Sequence, residues 1–579
     1  MIKRLSSSVG KYKYPAILTM LFMVGEVVIE CFIPFLTADL VNRIKAGTAI
    51  SNVIQTGSIL ILLAFCSLAF GGLAAFTAAK ASTGFAKNLR RDVFHKIQKY
   101  SFENIDHFSS SSLVTRLTTD ISNVQMAFMM LIRVAIRSPL MLIFAIIMAY
   151  RMGGPLASTF VVVVPILAIG LFMIGKFAMP AFRSVFKKYD KLNESIEENV
   201  RAMRVVKGFS REDYEKEKFA SAADNICKDF TKAERIVALN SPLMQFCLYF
   251  NMIFILIIGS KLTITSKGTM VDVGQISAMM TYGMQILMSL MMLSMIYVML
   301  TMSIESMKRI SEVLAEEPVL TNPEHPLMEL KDGSVIFENV ALKYTKTAKQ
   351  NALSSINLTI ESGMTVGVIG GTGSGKSTLV QLIPRLYDVT EGRVKVGGIN
   401  VKDYDLKALR DQVAMVLQKN LLFSGTIKDN IRWGNQEATD EEIIEACKLA
   451  QAHEFILSFP EGYDTWIEQG GTNVSGGQKQ RLCIARALIK KPKILILDDS
   501  TSAVDTRTDA LIQEGFKNFI PHTTKIIIAQ RISSVKDADL IVVMDHGTIS
   551  DAGTHDSLMK TSEIYQEVYK QQTGGDQNA

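Results

Sequence analysis

The sequence predicts two fused parts: an all-α domain of six membrane spans with long cytoplasmic helical extensions, then an α/β P-loop nucleotide domain. Three observations predict it. Six stretches before residue 314 are apolar and long enough to cross a bilayer. A complete phosphate-binding glycine loop stands at residues 370–378. Charge divides between the halves: residues 1–320 carry 34 Lys+Arg against 23 Asp+Glu, and residues 321–579 carry 28 against 33.

A chain of 579 residues is too long for a single core. Its 48% hydrophobic content and 30 methionines, clustered in the first half, are high for a soluble protein. A basic apolar half followed by a mildly acidic polar half fits a membrane domain with basic inner loops and a soluble domain behind it. The six cysteines (Cys31, Cys66, Cys227, Cys247, Cys447 and Cys483) show neither CxxC nor zinc spacing, so they read as reduced structural thiols. Lys3, Arg4, Lys11 and Lys13 precede a long apolar stretch with no small-residue cleavage site. That pattern predicts a retained span with a cytoplasmic N-terminus.

The spans are expected at about 15–38, 53–79, 128–150, 154–175, 241–261 and 274–301. The connections at 39–52, around Arg151 and at 262–273 are short. Those at 80–127 and 176–240 are long and carry 7 and 14 Lys+Arg, far more than the short ones. The asymmetry puts the long segments in the cytoplasm. Residues 183–235 alternate charged and apolar residues at helical spacing, as in Asn193-Glu194-Ser195-Ile196-Glu197-Glu198, and predict helices running well below the membrane. The domains are therefore expected at 1–314 and 326–579. A linker at 315–325 is marked by Glu316-Glu317-Pro318 and Asn322-Pro323.

Beyond the linker, short β-rich runs alternate with helical patterns. Gly370, Gly371, Thr372, Gly373, Ser374, Gly375, Lys376, Ser377 and Thr378 match the P-loop in full. Glycines let backbone N–H groups converge on phosphate oxygens at a helix N-terminus. Lys376 supplies a cation to the outer phosphates, and Ser377 an oxygen to Mg²⁺. Thr365–Ile369 reads as the strand before the loop and Ser377–Leu386 as the helix after it. A second apolar run, Ile494-Leu495-Ile496-Leu497, ends in Asp498, a carboxylate suited to the Mg²⁺ side of the same site. ATP and Mg²⁺ are the expected cofactors.

Val474-Ser475-Gly476-Gly477-Gln478, followed by Lys479-Gln480-Arg481, resembles the signature of ATP-binding-cassette proteins, and the resemblance covers essentially the whole chain. It is closest to half-transporters of the bacterial multidrug-exporter branch. The resemblance implies that Tyr344 stacks on adenine and that Gln418 is the Q-loop residue, reaching nucleotide and metal. It also makes Ser502-Ala503-Val504-Asp505 the D-loop and Gly208-Phe209-Ser210-Arg211-Glu212 a cytoplasmic contact region. The inner contact regions that pass on movement are expected around Phe108–Ser112 and Gly208–Arg211. In this family the signature of one subunit, here Ser475, Gly476, Gly477 and Gln478, closes over the P-loop of another. The chain would hold half of each of two ATP sites. A nucleotide domain in the cytoplasm and spans in the cell membrane follow.

Two positions depart from the family pattern. Its hydrolytic Glu is here Asp499, one methylene shorter, and its switch His is Gln530, which can donate to phosphate but carries no charge. Both fall in the half-site containing this chain's own P-loop, whereas the signature is intact. The segment before it, Glu468-Gln469-Gly470-Gly471-Thr472-Asn473, also differs from the family's usual one. The pattern resembles the degenerate-site subunit of a heterodimeric exporter, with a second half-transporter as partner and a small, amphipathic compound as substrate. A homodimeric lipid or peptide exporter and a regulatory ATP sensor without transport are the alternatives. Six spans argue against a soluble ATPase acting on nucleic acid.

For the substrate pathway, Glu26 and Glu30 lie one turn apart on one face of the first span. Acidic groups in a span face a cavity or a polar partner, so a cation site and packing against another helix both stand. The last span carries Met279, Met280, Met284, Met288, Met291, Met292, Met295 and Met299. Methionine suits adaptable binding surfaces, which makes Met288 and Met292 pathway candidates; lipid contact or packing explains such a stripe equally. Arg133 and Arg137, at the start of the third span, either snorkel or pair.

Overall fold

The structure is a computed structural model of the chain. It describes residues 1–345, 348–500 and 502–573, apart from the side chains of Ile2, Pro155, Arg183, Phe186, Lys187, Asp190, Glu194, Arg201 and Thr573. It divides into two compact units: Met1–Gln98 with Ser109–Glu316, and Lys99–Phe108 with Glu317–Ala579.

The first unit is built from seven long helices: α1 (Lys13–Lys45), α2 (Ile50–Gln98), α3 (Ile121–Gly153), α4 (Ser158–Arg201), α5 (Glu212–Ala238), α6 (Asn240–Thr265) and α7 (Val273–Ala315). Among the described residues, six helical stretches are long and apolar enough to cross a membrane: Gly10–Lys45, Ile50–Gln98, Ser110–Gly153, Ser158–Phe182, Glu212–Thr265 and Val273–Ala315. Each contains most or all of one expected span. The 49 residues of α2 reach about 74 Å at 1.5 Å per residue, more than twice the hydrocarbon thickness. Its first half exposes Ile61, Leu62, Phe65 and Leu68, whereas Ala78, Ala81, Phe85 and Leu89 are buried lower down. That is the surface of a helix that meets lipid first and protein afterwards. The start of α7 is closed by a capping box: Asp272 accepts from the Gln275 N–H at 2.7 Å and Gln275 accepts from the Asp272 N–H at 2.9 Å. The helical run expected over 183–235 is interrupted. α4 ends at Arg201, a six-residue helix covers Met203–Gly208, and α5 begins at Glu212.

At one end of this unit, a fully buried Asp120 accepts from Ser306 Oγ and Arg309 Nε, both at 2.8 Å. Arg116, itself buried, donates to the Arg309 carbonyl at 2.7 Å. These bonds tie the chain just before α3 to the inner part of α7.

The second unit contains twelve strands among its described residues. They are β1 (Val335–Leu342), β2 (Leu353–Ile360), β3 (Thr365–Gly370), β4 (Glu391–Val396), β5 (Ile399–Asn400) and β6 (Val413–Val416). The two-residue β7 (Gly425–Thr426) and β8 (Trp466–Ile467) follow, then β9 (Ile494–Asp498), β10 (Thr524–Ile528), β11 (Leu540–Asp545) and β12 (Thr548–Gly553). A six-stranded sheet runs β12-β11-β3-β10-β9-β6, and a four-stranded sheet runs β2-β1-β4-β5. Every pairing in the first is parallel except β11–β12. β9 and β10 are buried along their whole length, as expected for parallel strands covered on both faces. The register sets Ile528 opposite both Val368 and Asp498, so these three strands finish side by side.

Residues 99–108, within the expected 1–314 domain, cluster with the second unit. Their buried Asn104 donates to the Glu317 carbonyl at 3.1 Å and accepts from the Val319 N–H at 3.2 Å. The expected contact region around Phe108–Ser112 spans the division between the units: Phe108 clusters with the second, Ser109 onward with the first. The helix after the phosphate loop, α8 (Lys376–Gln381), is also shorter than the expected Ser377–Leu386, and Arg385 takes a left-handed φ of 51°.

Replacing Arg309 by Ala leaves the buried Asp120 without its cation, whereas Asp120→Asn removes the charge itself. Breaking a buried pair from one side typically destabilises by about 3–5 kcal/mol. Arg309→Ala should therefore lower the apparent melting temperature of the detergent-purified protein more than Asp120→Asn does; equal shifts would contradict the pairing.

Candidate nucleotide site

The phosphate loop leaves β3 at Gly370, whose φ of 154° lies where side chains rarely go. A Cβ there would stand 2.2 Å from the Met544 carbonyl, so the crossing of β11 over the loop requires glycine. Gly375 (φ 95°) caps α8 in the left-handed region and turns the chain into the helix. Lys376 Nζ donates to the Gly370 and Gly371 carbonyls at 2.9 and 2.7 Å, and so lies back along the loop it serves. Burial lowers its pKa, opposed by Asp498 and Asp499.

Ser377 Oγ donates to Asp498 Oδ1 at 3.0 Å. A hydroxyl and a carboxylate make an all-oxygen pair suited to a hard cation, and Mg²⁺ bound mainly by substrate phosphates needs no more than such a pair. Among the described residues no group of three or more His, Cys, Asp or Glu forms a metal cage. Burial raises the Asp498 pKa, with Asp499 adding to the rise and Ser377 opposing it.

Asp499 follows β9 at a left-handed φ of 50°, held by its N–H on the Ile528 carbonyl at 3.1 Å. Gln530 Nε2 donates to Asp499 Oδ2 at 2.7 Å, and Gln418 lies past the end of β6. The two positions that depart from the family pattern are thus one contact. Burial raises the Asp499 pKa, and the Gln418 and Gln530 amides partly offset it.

Tyr344, just past β1, has its hydroxyl 2.8 Å from that of Thr378, and its ring meets Tyr387 edge-on with centroids 5.0 Å apart. The signature opens the 13-residue α9 (Gly476–Leu488). Ser475 Oγ accepts from the Gln478 N–H at 3.3 Å and Gln478 Oε1 accepts from the Ser475 N–H at 2.9 Å. This reciprocal cap leaves Ser475 and Gly476 exposed at a helix N-terminus, the geometry of an anion site.

Sequence reasoning passed over Gln480. Buried on α9, it accepts from the Ala503 N–H at 3.0 Å and donates to Ser502 Oγ at 3.3 Å, and Ser502 in turn donates to the Asp499 carbonyl at 3.0 Å. Helix α9 is thereby tied to the backbone of Asp499, beside Asp498. Its burial comes from the tertiary packing of α9 and carries no local mark in the sequence.

In the membrane unit, Glu30 on α1 receives both its bonds from Arg137 Nη2 on α3, at 2.7 and 2.8 Å. Glu26 Oε1 lies 3.5 Å from the same nitrogen. Gln285 Nε2 of α7 donates to the Glu30 carbonyl at 3.3 Å. Both carboxylates thus have a cation from another helix, and Arg137 pairs rather than snorkels. Met288 and Met292 are exposed and share a helix face with Gln285.

Membrane-length helices joined to a P-loop domain that carries its own capped signature helix define an ATP-dependent membrane transporter. Comparison with known proteins agrees. The family "ABC transporter transmembrane region" matches residues 16–308, and the family "ABC transporter" matches residues 353–502. The chain is 36% identical to the uncharacterized ABC transporter ATP-binding protein YfiB of Bacillus subtilis, over 97% of each chain. It is 35% identical to the uncharacterized ABC transporter ATP-binding protein YknU of the same organism, over 83% of this chain and 82% of that one. A solved structure of a bacterial Atm1-family ABC exporter with ATP bound superposes with a TM-score of 0.83 over 98% of each chain at 24% identity, a likeness of fold. The chain belongs to the ABC transporter family, as a half-transporter with the exporter fold: a multi-pass, ATP-hydrolysing membrane protein with a cytoplasmic nucleotide domain.

The raised pKa of Asp499 has a sign that can be tested. A carboxyl with a folded pKa above its ordinary 3.8 binds protons more strongly folded than unfolded, so its contribution to stability is lost as pH rises from 3.8 through the folded value. In Mg²⁺-free buffer, Asp499→Asn should therefore gain apparent melting temperature relative to the natural protein as pH climbs through this window. A constant difference across the window would count against a buried, desolvated Asp499.

Proposed function

We propose that this chain is one subunit of a heterodimeric exporter in which its own P-loop site binds ATP and hydrolyses it slowly. The observation that carries the reading is the Asp499–Gln530 contact. The hydrolytic position has a short carboxylate, and the amide beside it occupies one of its oxygens at 2.7 Å. Positioning a water for in-line attack tolerates little displacement; an error near 1 Å can reduce rate about 10²-fold. The signature half, by contrast, keeps its serine cap. The competent site would combine this chain's Ser475, Gly476, Gly477 and Gln478 with a partner's P-loop and hydrolytic carboxylate. At the chain's own site, Lys376 and the loop N–H groups would hold the phosphates and Tyr344 the adenine. Ser377, Asp498 and Gln418 would stand on the metal side, where Mg²⁺ offsets phosphate charge.

Two ATP molecules bound between paired nucleotide domains would draw them together. The inner segments around Phe102–His107 and Gly208–Arg211 would pass that movement to the spans, turning the cavity outward. The substrate is a small amphipathic compound. Within the pathway Met288 and Met292 offer an adaptable apolar wall beside Gln285, and the Glu26–Glu30–Arg137 group supplies its polar end.

The test is the composition and turnover of the complex carrying the tagged chain, purified from its own membranes. Equimolar recovery with a second half-transporter is expected, Asp499→Asn should change ATP turnover by less than about twofold, and Ser475→Arg should reduce it about 100-fold or more. A homodimer whose turnover collapses with Asp499→Asn would make this a slow symmetric exporter. Equimolar recovery with no ATP turnover would favour a sensor.

A further inference from the structure

One side chain lies between the nucleotide site and the inner segment Lys99–Phe108, and no motif contains it. Tyr387 stands in Arg385-Leu386-Tyr387-Asp388, just after α8. Its hydroxyl donates to Asp106 Oδ2 at 2.6 Å, and its ring centroid is 6.0 Å from that of Phe102. The same ring meets Tyr344 at 87°, centroids 5.0 Å apart, and the Tyr344 hydroxyl is 2.8 Å from that of Thr378. Four side chains thus run in contact from the last residue of the phosphate-loop motif to the inner segment: Thr378, Tyr344, Tyr387 and Asp106.

Both ends of this row are held. Buried Arg385 pairs with Asp388 at 2.8 Å and donates to the Thr321 carbonyl at 3.3 Å, which pins the backbone on either side of Tyr387. In the segment, Ser101 and Asn104 form a capping box, Asn104 bonds Glu317 and Val319, and the Tyr100 and Phe108 rings stack 5.9 Å apart. An O–H···O⁻ contact of 2.6 Å lies in the short, charge-assisted range. Burial raises the Tyr387 pKa, and the Asp106 carboxylate raises it further, so the hydroxyl stays a donor.

We propose that Tyr387 is a positioning residue linking occupancy of the Tyr344 side of the nucleotide site to the segment Lys99–Phe108 through its hydrogen bond to Asp106. The proposal rests on the adenine-stacking role given to Tyr344 above. A base on Tyr344 restricts that ring. An edge-to-face contact is sensitive to ring tilt, and Tyr387 has one carboxylate to answer to, so the filled and empty sites favour different settings of the Tyr387–Asp106 bond. A ligand shifts such an equilibrium by its differential affinity for the two settings. Because Lys99–Phe108 is continuous in the chain with the helices on either side of it, the setting reaches the spans through covalent structure.

Hydrogen exchange of peptides covering residues 99–108, in the intact purified complex with and without saturating MgATP, tests the link. In the natural chain MgATP should slow exchange there by about tenfold. Tyr387→Phe keeps the ring but removes the donor; it should abolish this ATP-dependent difference while ATP affinity stays within about twofold, and Asp106→Asn should largely mimic it. The double variant should do no more than either single one, as for two halves of one interaction. Tyr387→Phe that preserves the ATP-dependent difference, or that speeds exchange equally with and without MgATP, overturns the proposal: the bond is then only a static clamp. Effects of the two variants that add also overturn it. Tyr344→Ala separates the two readings, since loss of base stacking should weaken ATP binding by about tenfold. Unchanged affinity in that variant would refute the stacking role on its own, while the exchange result at saturating MgATP still decides the link.

Discussion

The nucleotide half depends on the register of three neighbouring parallel strands, β3, β10 and β9. Because Ile528 pairs with both Val368 and Asp498, the strands that lead to the phosphate loop, to the two aspartates and to Gln530 end at one level. Their inward residues, Val366, Val368, Ile494, Ile496, Ile526 and Ile528, belong to one apolar core. Each such side chain is worth about 1.5–3 kcal/mol on burial. The alternate residues Leu495, Leu497 and Ile527 fill a second core on the opposite face, so a slip of one residue would exchange the two sets and separate Asp499 from Gln530. The packing of both cores thus holds the charged groups at the strand ends.

That arrangement places two different functions on one rigid frame. The phosphate loop with Asp498 and Asp499 is one; the capped N-terminus of α9 is the other. Gln480 joins them, bonding Ser502 and Ala503 while Ser502 bonds the Asp499 carbonyl. On the proposed reading, a slow site would remain part of the mechanism, since its backbone is shared with the signature helix that would serve another subunit.

Much of this was legible in the sequence because it is local. The phosphate loop needs glycine at fixed offsets, and the signature Ser475 and Gln478 close a capping box over three residues, so each could be read without knowing the fold. Six apolar stretches announced six spans for the same reason. What escaped was long-range. Gln530 and Asp499 were each recognised as departures, but their contact depends on the β9–β10 pairing. Glu30 and Arg137 were both noticed, yet whether the glutamate faced a cavity or a partner was decided by the packing of α1 on α3. Residues 99–108 looked like part of the membrane half, because nothing nearby shows that Asn104 is buried against Glu317 and Val319. The helix after the phosphate loop ends at Gln381, short of the expected Leu386, ahead of Pro384 and the left-handed Arg385.

The central claim is that the site on this chain's own phosphate loop binds ATP and turns it over slowly. It is tested most directly by vanadate trapping of photoreactive 8-azido-ATP in the purified complex, followed by separation of the subunits. Vanadate holds the product only where hydrolysis has occurred. The account predicts trapped label on the partner's subunit, with this chain labelled only under ATP-binding conditions without turnover. Trapped label on this chain, equal to or above that on its partner, would contradict it.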